Sequence, residues 1–250
     1  MPGLSIFGIP GLPEITPGTD LAGSIAAAAA AADVPLQSGD ILVITSKIVS
    51  KAEGRVVELA TVDVSPFARQ YAERWEKEPA VIELVLRQSR RVVRQVGPVL
   101  ITETRHGFVC ANAGIDQSSS GGHGLAVLLP EDPDASCRRI RAALKATGVD
   151  VAVIISDTFG RPWREAQTDV AIGIAGMHPV TSYIGQVDPH GHEFRVQALC
   201  TADELAGAAE LVKGNLSRVP CAVIRGLPWE PDEEATMQLV IRESERDLFR

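Results

Sequence analysis

The run Val151-Ala-Val-Ile-Ile-Ser-Asp157-Thr158-Phe-Gly-Arg161-Pro-Trp-Arg164 holds the densest chemistry in the sequence. A segment too apolar to face water on either side ends abruptly in an acid, a hydroxyl, a glycine and two arginines. A hydrophobic strand that delivers an aspartate is how many phosphoryl-transfer sites present a magnesium ligand. Arg161 and Arg164 lie three apart, so on a helical turn both would reach one anion. The alternative is structural: Asp157 or Thr158 would cap a helix that starts there. The crowding of acid and cations at one strand end favours function. A second candidate is Ile44-Thr-Ser-Lys-Ile-Val-Ser-Lys-Ala-Glu-Gly-Arg55, where a buried strand hands Thr45 and Ser46 to its C-terminal end. Lys47 and Lys51, four apart, share a face if the segment is helical. With the hydroxyls and Arg55 they make either a polyphosphate cradle or a solvated basic patch. The third is Cys110-Ala-Asn-Ala-Gly-Ile-Asp116-Gln-Ser-Ser-Ser-Gly-Gly-His123, in which Asp116 is a hard oxygen ligand for a cation or merely a turn residue.

Elements must position these groups. Asp40–Thr45 reads as a buried strand after the Ser38-Gly39 turn signal, and Val149–Ser156 as the most apolar strand of the chain. Thr19 or Asp20 caps a helix that runs through the alanines and ends before Pro35. Residues 67–94 read as helical, with arginines crowded on one face. Short strands are expected at Val99–Glu103, Gly107–Ala111, Leu125–Leu129, Ala171–Ala175, Phe194–Cys200 and Cys221–Arg225. Helices are expected at Arg138–Thr147, Asp203–Lys213 and Asp232–Leu248. Strands mixed with helices without clean alternation indicate an α/β chain of mixed α+β character. Pro130–Ser136 is the best internal boundary, but one body over residues 1–250 is the preferred reading.

Composition limits the alternatives. Hydrophobic residues are 45% and charged residues 22% of 250, enough for a full core. The longest apolar run is too short to span a membrane, and no secretory leader pattern opens the sequence, so a cytoplasmic, non-membrane protein is expected. A formal charge of −8 disfavours nucleic acid as a partner. Cys110, Cys137, Cys200 and Cys221 are too scattered for a zinc knuckle or disulfide framework. No GxxxxGK[ST], GxGxxG, GxSxG or HExxH motif is present. His190 and His192 fit a Pro/Gly turn better than a metal pair.

Taken together, Gly8-Ile-Pro-Gly-Leu-Pro13, Gly39–Arg55, Asn112-Ala-Gly-Ile-Asp116, Ser156-Asp-Thr-Phe-Gly-Arg161 and Val223-Ile-Arg-Gly226 resemble, in order and spacing, the coenzyme F420:L-glutamate ligase family. The likeness covers nearly the whole chain. Trp163-Arg164 and Gln167-Thr-Asp169 make it most similar to the ligase domain of the actinobacterial two-domain version, without the flavin-binding nitroreductase-type domain that follows there. The resemblance implies an unusual mixed fold that forms an intertwined homodimer. It also implies a chemistry: GTP phosphorylates a carboxylate of the deazaflavin coenzyme precursor, and the amine of L-glutamate displaces the phosphate to form an amide, with further γ-linked glutamates. Two Mg2+ or Mn2+ ions would bridge the phosphates, and K+ would assist. Position by position, Asp116, Asp157 and Thr158 fall on metal ligands. Leu12, Pro13, Glu14, Ile15, Ser46, Lys47, Lys51 and Ser119 fall on nucleotide contacts, and Lys51 and Arg161 would neutralise the transferring charge. The loop Val212–Val219 matches a later nucleotide loop. The acid that some members carry there is replaced in this chain by Lys213-Gly214-Asn215.

Two other functions fit the same residues: a nucleotide-binding regulatory module without turnover, and a carboxylate phosphotransferase that stops at the acyl phosphate. Glutamate-dependent phosphate release separates the three.

Overall fold

The computed structural model describes residues 3–117, 124–214 and 216–247. Its strands are Ser5–Ile9 (β1), Ile41–Thr45 (β2), Val56–Glu58 (β3), Ser89–Val96 (β4), Val99–Thr104 (β5), Val109–Ala111 (β6), Leu125–Val127 (β7), Ala152–Arg161 (β8), Arg164–Met177 (β9), Thr181–Ser182 (β10), Ala198–Leu199 (β11), Cys221–Arg225 (β12) and Pro231–Asp232 (β13). Its α-helices are Leu21–Ala31 (α1), Ser46–Ala52 (α2), Pro66–Trp75 (α3), Pro79–Gln88 (α4), Pro133–Ala146 (α5) and Thr201–Lys213 (α6). The expected mixed α/β architecture is what the chain adopts.

The main sheet runs β1-β12-β2-β8-β9-β13. Among the described residues only β2 and β8 pair in parallel in this sheet, from Ile41↔Ala152 to Thr45↔Ser156, so β2 ends beside the residue that precedes Asp157. Alternate residues feed two cores. Leu42, Ile44, Val153, Ile155 and Val223 pack with Ile25, Ala29, Ile140 and Leu144 of α1 and α5. Ile41, Val43, Ile154, Ala222 and Ile224 pack with Ala202, Leu205, Ala206 and Ala209 of α6. Being covered on both faces is why β2 and β8 read as unbroken apolar runs rather than alternating ones. Each buried Val, Ile or Leu contributes about 1.5–3 kcal/mol relative to exposure.

Local signals set the helix ends. Asp20 accepts the Gly23 amide at 3.1 Å to open α1. Asp132 does the same for Ala135 at 2.9 Å to open α5, with Pro133 at the first helical position. Helix α5 therefore starts five residues before the expected Arg138.

Three expectations are corrected. Residues 67–94 are not one helix. Pro79 cannot donate to a preceding turn, so α3 ends at left-handed Glu76 and α4 restarts at Pro79. Residues 89–96 are then strand β4, whose Val92 and Val96 pair across a hairpin with Thr102 and Val99 of β5. The helix expected at Asp232–Leu248 is not formed over the described residues 232–247 either. Asp232 pairs with Gly176, and the Asp134 carboxylate holds Thr236 Oγ1 at 2.7 Å and the Met237 amide, leaving only short 3-10 turns at Met237–Val240 and Ser244–Arg246. Finally, Phe194–Cys200 is strand only at Ala198–Leu199.

Candidate functional site

Strand β8 continues straight through Asp157 and Thr158 because β9 pairs alongside it, Asp157↔Val170 and Thr158↔Asp169, out to Arg161↔Arg164. Neither residue caps a helix, so the structural reading of this acid is removed. The helical turn expected for Arg161 and Arg164 is likewise a hairpin, closed by Pro162-Trp163 with Trp163 at φ +58°. Trp163 is 78% exposed. At about 3.3 Å per residue, the Arg161 backbone stands roughly 13 Å along the strand from Asp157. Within one chain Arg161 therefore lies at the exposed hairpin tip, apart from the acids.

The parallel register brings the end of β2 beside Ser156, the residue before Asp157 in β8. Thr45 precedes α2, whose first residues are Ser46 and Lys47, and one turn later comes Lys51. The helical face expected for the two lysines is thus present, and each finds a carboxylate. Lys47 Nζ stands 2.7 Å from Asp116 Oδ2, and Lys51 Nζ donates to Glu14 Oε1 at 2.7 Å. Asp116 is positioned by backbone bonds in both directions with Val127. The Leu12–Ile15 stretch is anchored by Ile15, which is buried in the core, while Pro13 and Glu14 are exposed. Gly8 of β1 lies against Val212 and Val219, where a Cβ would come within 3.0 Å of the Val212 carbonyl oxygen. The Lys51 bond and charge hold the Glu14 carboxyl below the usual range, helped by the Arg218 charge. Ser119 lies outside the described residues.

Asp157 is half-buried, and its Oδ1 accepts the Thr158 amide at 2.8 Å. Burial pushes its carboxyl up to about 7 against that hydrogen bond, with the negative charges of Asp169 and Asp116 adding and Lys47 opposing. The acids Asp116 and Asp157 therefore share one electrostatic neighbourhood. The same negative charge acts on Cys110, whose thiol is pushed up to about 12, first by burial and then by Asp157. It is a packing group, not a nucleophile.

Beneath Asp157 lies a polar network that sequence reasoning did not assign. Asp169 Oδ1 accepts from Thr158 Oγ1 at 2.6 Å, and its Oδ2 accepts from Ser156 Oγ at 2.8 Å and Lys213 Nζ at 2.8 Å. The signal was available. Lys213 continues the apolar stripe Ala202, Leu205, Ala206, Ala209 at helical spacing, and a lysine there needs a buried acid.

Could these groups hold a metal? Asp116, Asp157 and Thr158 offer only hard oxygen donors, and a cation beside them would relieve the cost of ionising Asp157, raised first by burial and then by the Asp169 and Asp116 charges. Among the described residues no group of three or more His, Cys, Asp or Glu could hold an ion unaided. Magnesium is commonly held by one or two carboxylates together with substrate phosphates, so the donor set fits that mode. The turn reading holds for His190 and His192, whose amides both donate to Asp188 Oδ1 at 2.8 Å.

Comparison with known proteins adds the following. The family described as F420-0:Gamma-glutamyl ligase matches residues 11–226. A coenzyme F420:L-glutamate ligase of Methanothermobacter thermautotrophicus is 43% identical over 251 residues, covering 99% of both chains. Its counterpart in Methanopyrus kandleri is 43% identical over 256 residues, covering 100% of this chain and 99% of the relative. One from Methanococcus maripaludis strain C6 is 38% identical over 218 residues, 86% of this chain and 87% of the relative.

Proposed function

Since the chain belongs to the F420-0:gamma-glutamyl ligase family, whose members add glutamate to the coenzyme F420 precursor, we propose that it does so with GTP through an acyl phosphate. The observation that carries this reading is the parallel β2–β8 pairing, Thr45↔Ser156, which gathers Ser46, Lys47, Lys51, Asp116, Asp157 and Thr158 at one sheet edge. Making an amide from a carboxylate needs a leaving group. Transfer of the γ-phosphoryl group to the precursor carboxylate gives the acyl phosphate and GDP. The glutamate amine then attacks the acyl carbon, the C–N bond forms and inorganic phosphate leaves. No protein nucleophile is required, which suits a site whose nearest thiol, Cys110, is held protonated.

The protein's part is positioning and charge neutralisation. Lys51, only 15% exposed at its side chain, reaches from α2 to the 12–15 stretch, where it would exchange Glu14 for a phosphate oxygen. Lys47 orients Asp116. Asp116, Asp157 and the Thr158 hydroxyl would hold Mg2+ or Mn2+, which when bound shields the phosphate charge. Gly8 leaves room for Val212 and Val219 to pack against β1. Arg161, at the hairpin tip, would meet the transferring group only across a subunit boundary, which fits the proposed homodimer.

Phosphate release with GTP and ATP in parallel tests the proposal. A ligase releases phosphate only with acceptor and glutamate together. Release with acceptor alone would identify a phosphotransferase, and no release under any combination a binding module.

A further inference from the structure

Lys213 ends α6 with its side chain 3% exposed, and its ammonium is committed to the strand below the acids. It donates to Ser156 Oγ at 2.7 Å and Asp169 Oδ2 at 2.8 Å, with Glu210 Oε2 at 3.8 Å. Asp169, equally buried, spends its other oxygen on the Thr158 hydroxyl. That bond fixes the Thr158 proton toward Asp169 and turns the lone pairs of Oγ1 toward whatever stands beside Asp157. A buried carboxylate keeps such a geometry only while its own charge is answered.

We propose that Lys213 is a positioning residue for the ligase reaction, acting through Asp169 to orient the Thr158 hydroxyl as an oxygen ligand. The inference rests on the site reading given under Proposed function. Lys213 thus serves the site from beneath rather than as a ligand within it.

The test uses Mn2+ alone as probe, with binding followed by electron paramagnetic resonance of the free ion and folding by thermal melting. Lys213→Met leaves the Asp169 carboxylate buried alone, and Mn2+ affinity is expected to fall at least tenfold. Two double variants avoid an unpaired charge. Lys213→Met with Asp169→Asn keeps an amide oxygen for the Thr158 hydroxyl, and should bind Mn2+ within threefold of the parent. Lys213→Met with Asp169→Leu removes that acceptor, and should bind at least tenfold more weakly while still folding. Equal Mn2+ affinity in the two double variants overturns the inference, whether or not the single variant folds. So does a folded Lys213→Met protein with parental affinity. A parent that binds no Mn2+ either alone or with GTP present overturns the metal reading of the site, and this inference with it.

Discussion

Asp157→Asn should make the metal-free protein more stable at pH 8 while abolishing its response to manganese. The parent carboxyl is raised from an ordinary 3.8 to about 7. An acid that binds its proton more tightly when folded adds no penalty below about pH 4. It costs progressively more as pH rises to about 7, and the cost is constant above that. At about 1.4 kcal/mol per pH unit the full penalty is about 4 kcal/mol, and partial exposure reduces it to about 2–4. Asparagine carries no charge and its oxygen can still accept the Thr158 amide, so the variant escapes the penalty. For a chain of this size that is on the order of 5–15 °C in melting temperature at pH 8, shrinking toward zero at pH 4. Melts in chelator across pH 4–8, repeated with millimolar Mn2+, read both effects. Mn2+ should raise the parent's melting temperature by mass action and leave the variant's unchanged. A stability difference that does not vary with pH, or equal Mn2+ responses, would refute the reasoning.

Lys51→Met should weaken GTP binding by roughly 10–150-fold, the equivalent of one charge-assisted bond of about 1.5–3 kcal/mol. Its melting point should scarcely move, because the Glu14 partner is exposed; unchanged affinity by calorimetry would make Lys51 only a surface charge. Gly173→Ala places a methyl 2.6 Å from the Pro133 carbonyl group and should cost about 1–3 kcal/mol in chemical denaturation, against no loss if α5 can shift. Light scattering should give about twice 26.6 kDa; a particle of 26.6 kDa at micromolar concentration would exclude the homodimer.

Legibility in the sequence followed the range of the forces involved. The β2 and β8 strands were readable because burial on both faces leaves an unbroken apolar run, and α1 because Asp20 and Pro35 bracket the alanines. The shared face of Lys47 and Lys51 followed from helical spacing alone. The break at Pro79 was also written locally, and was outweighed by the regular spacing of Val81 and Val85. Other features depend on partners distant in the chain. The hairpin beyond Asp157 exists because β9 supplies a pairing edge, and the segment after Asp232 is kept from forming a helix by Asp134, a hundred residues earlier. The Lys213–Asp169 pair needed two weak anomalies to be joined: an ammonium on an apolar helical stripe and an acid heading an apolar strand. Each alone reads as surface charge.

The strand order carries a consequence for biosynthesis. Strand β12 lies between β1 and β2, so the two earliest strands are joined only by one made near position 221. At about 5–20 residues per second, the ribosome leaves Ile41–Thr45 without that neighbour for on the order of 10–30 s. A nascent chain thus exposes an apolar strand edge, the kind of edge that templates aggregation and engages holdase chaperones. Lys47 and Lys51 emerge early, Asp157 much later and the 212–219 loop later still. Nucleotide can therefore reward only the finished sheet, and its arrival would act as a late latch on folding rather than a guide to it.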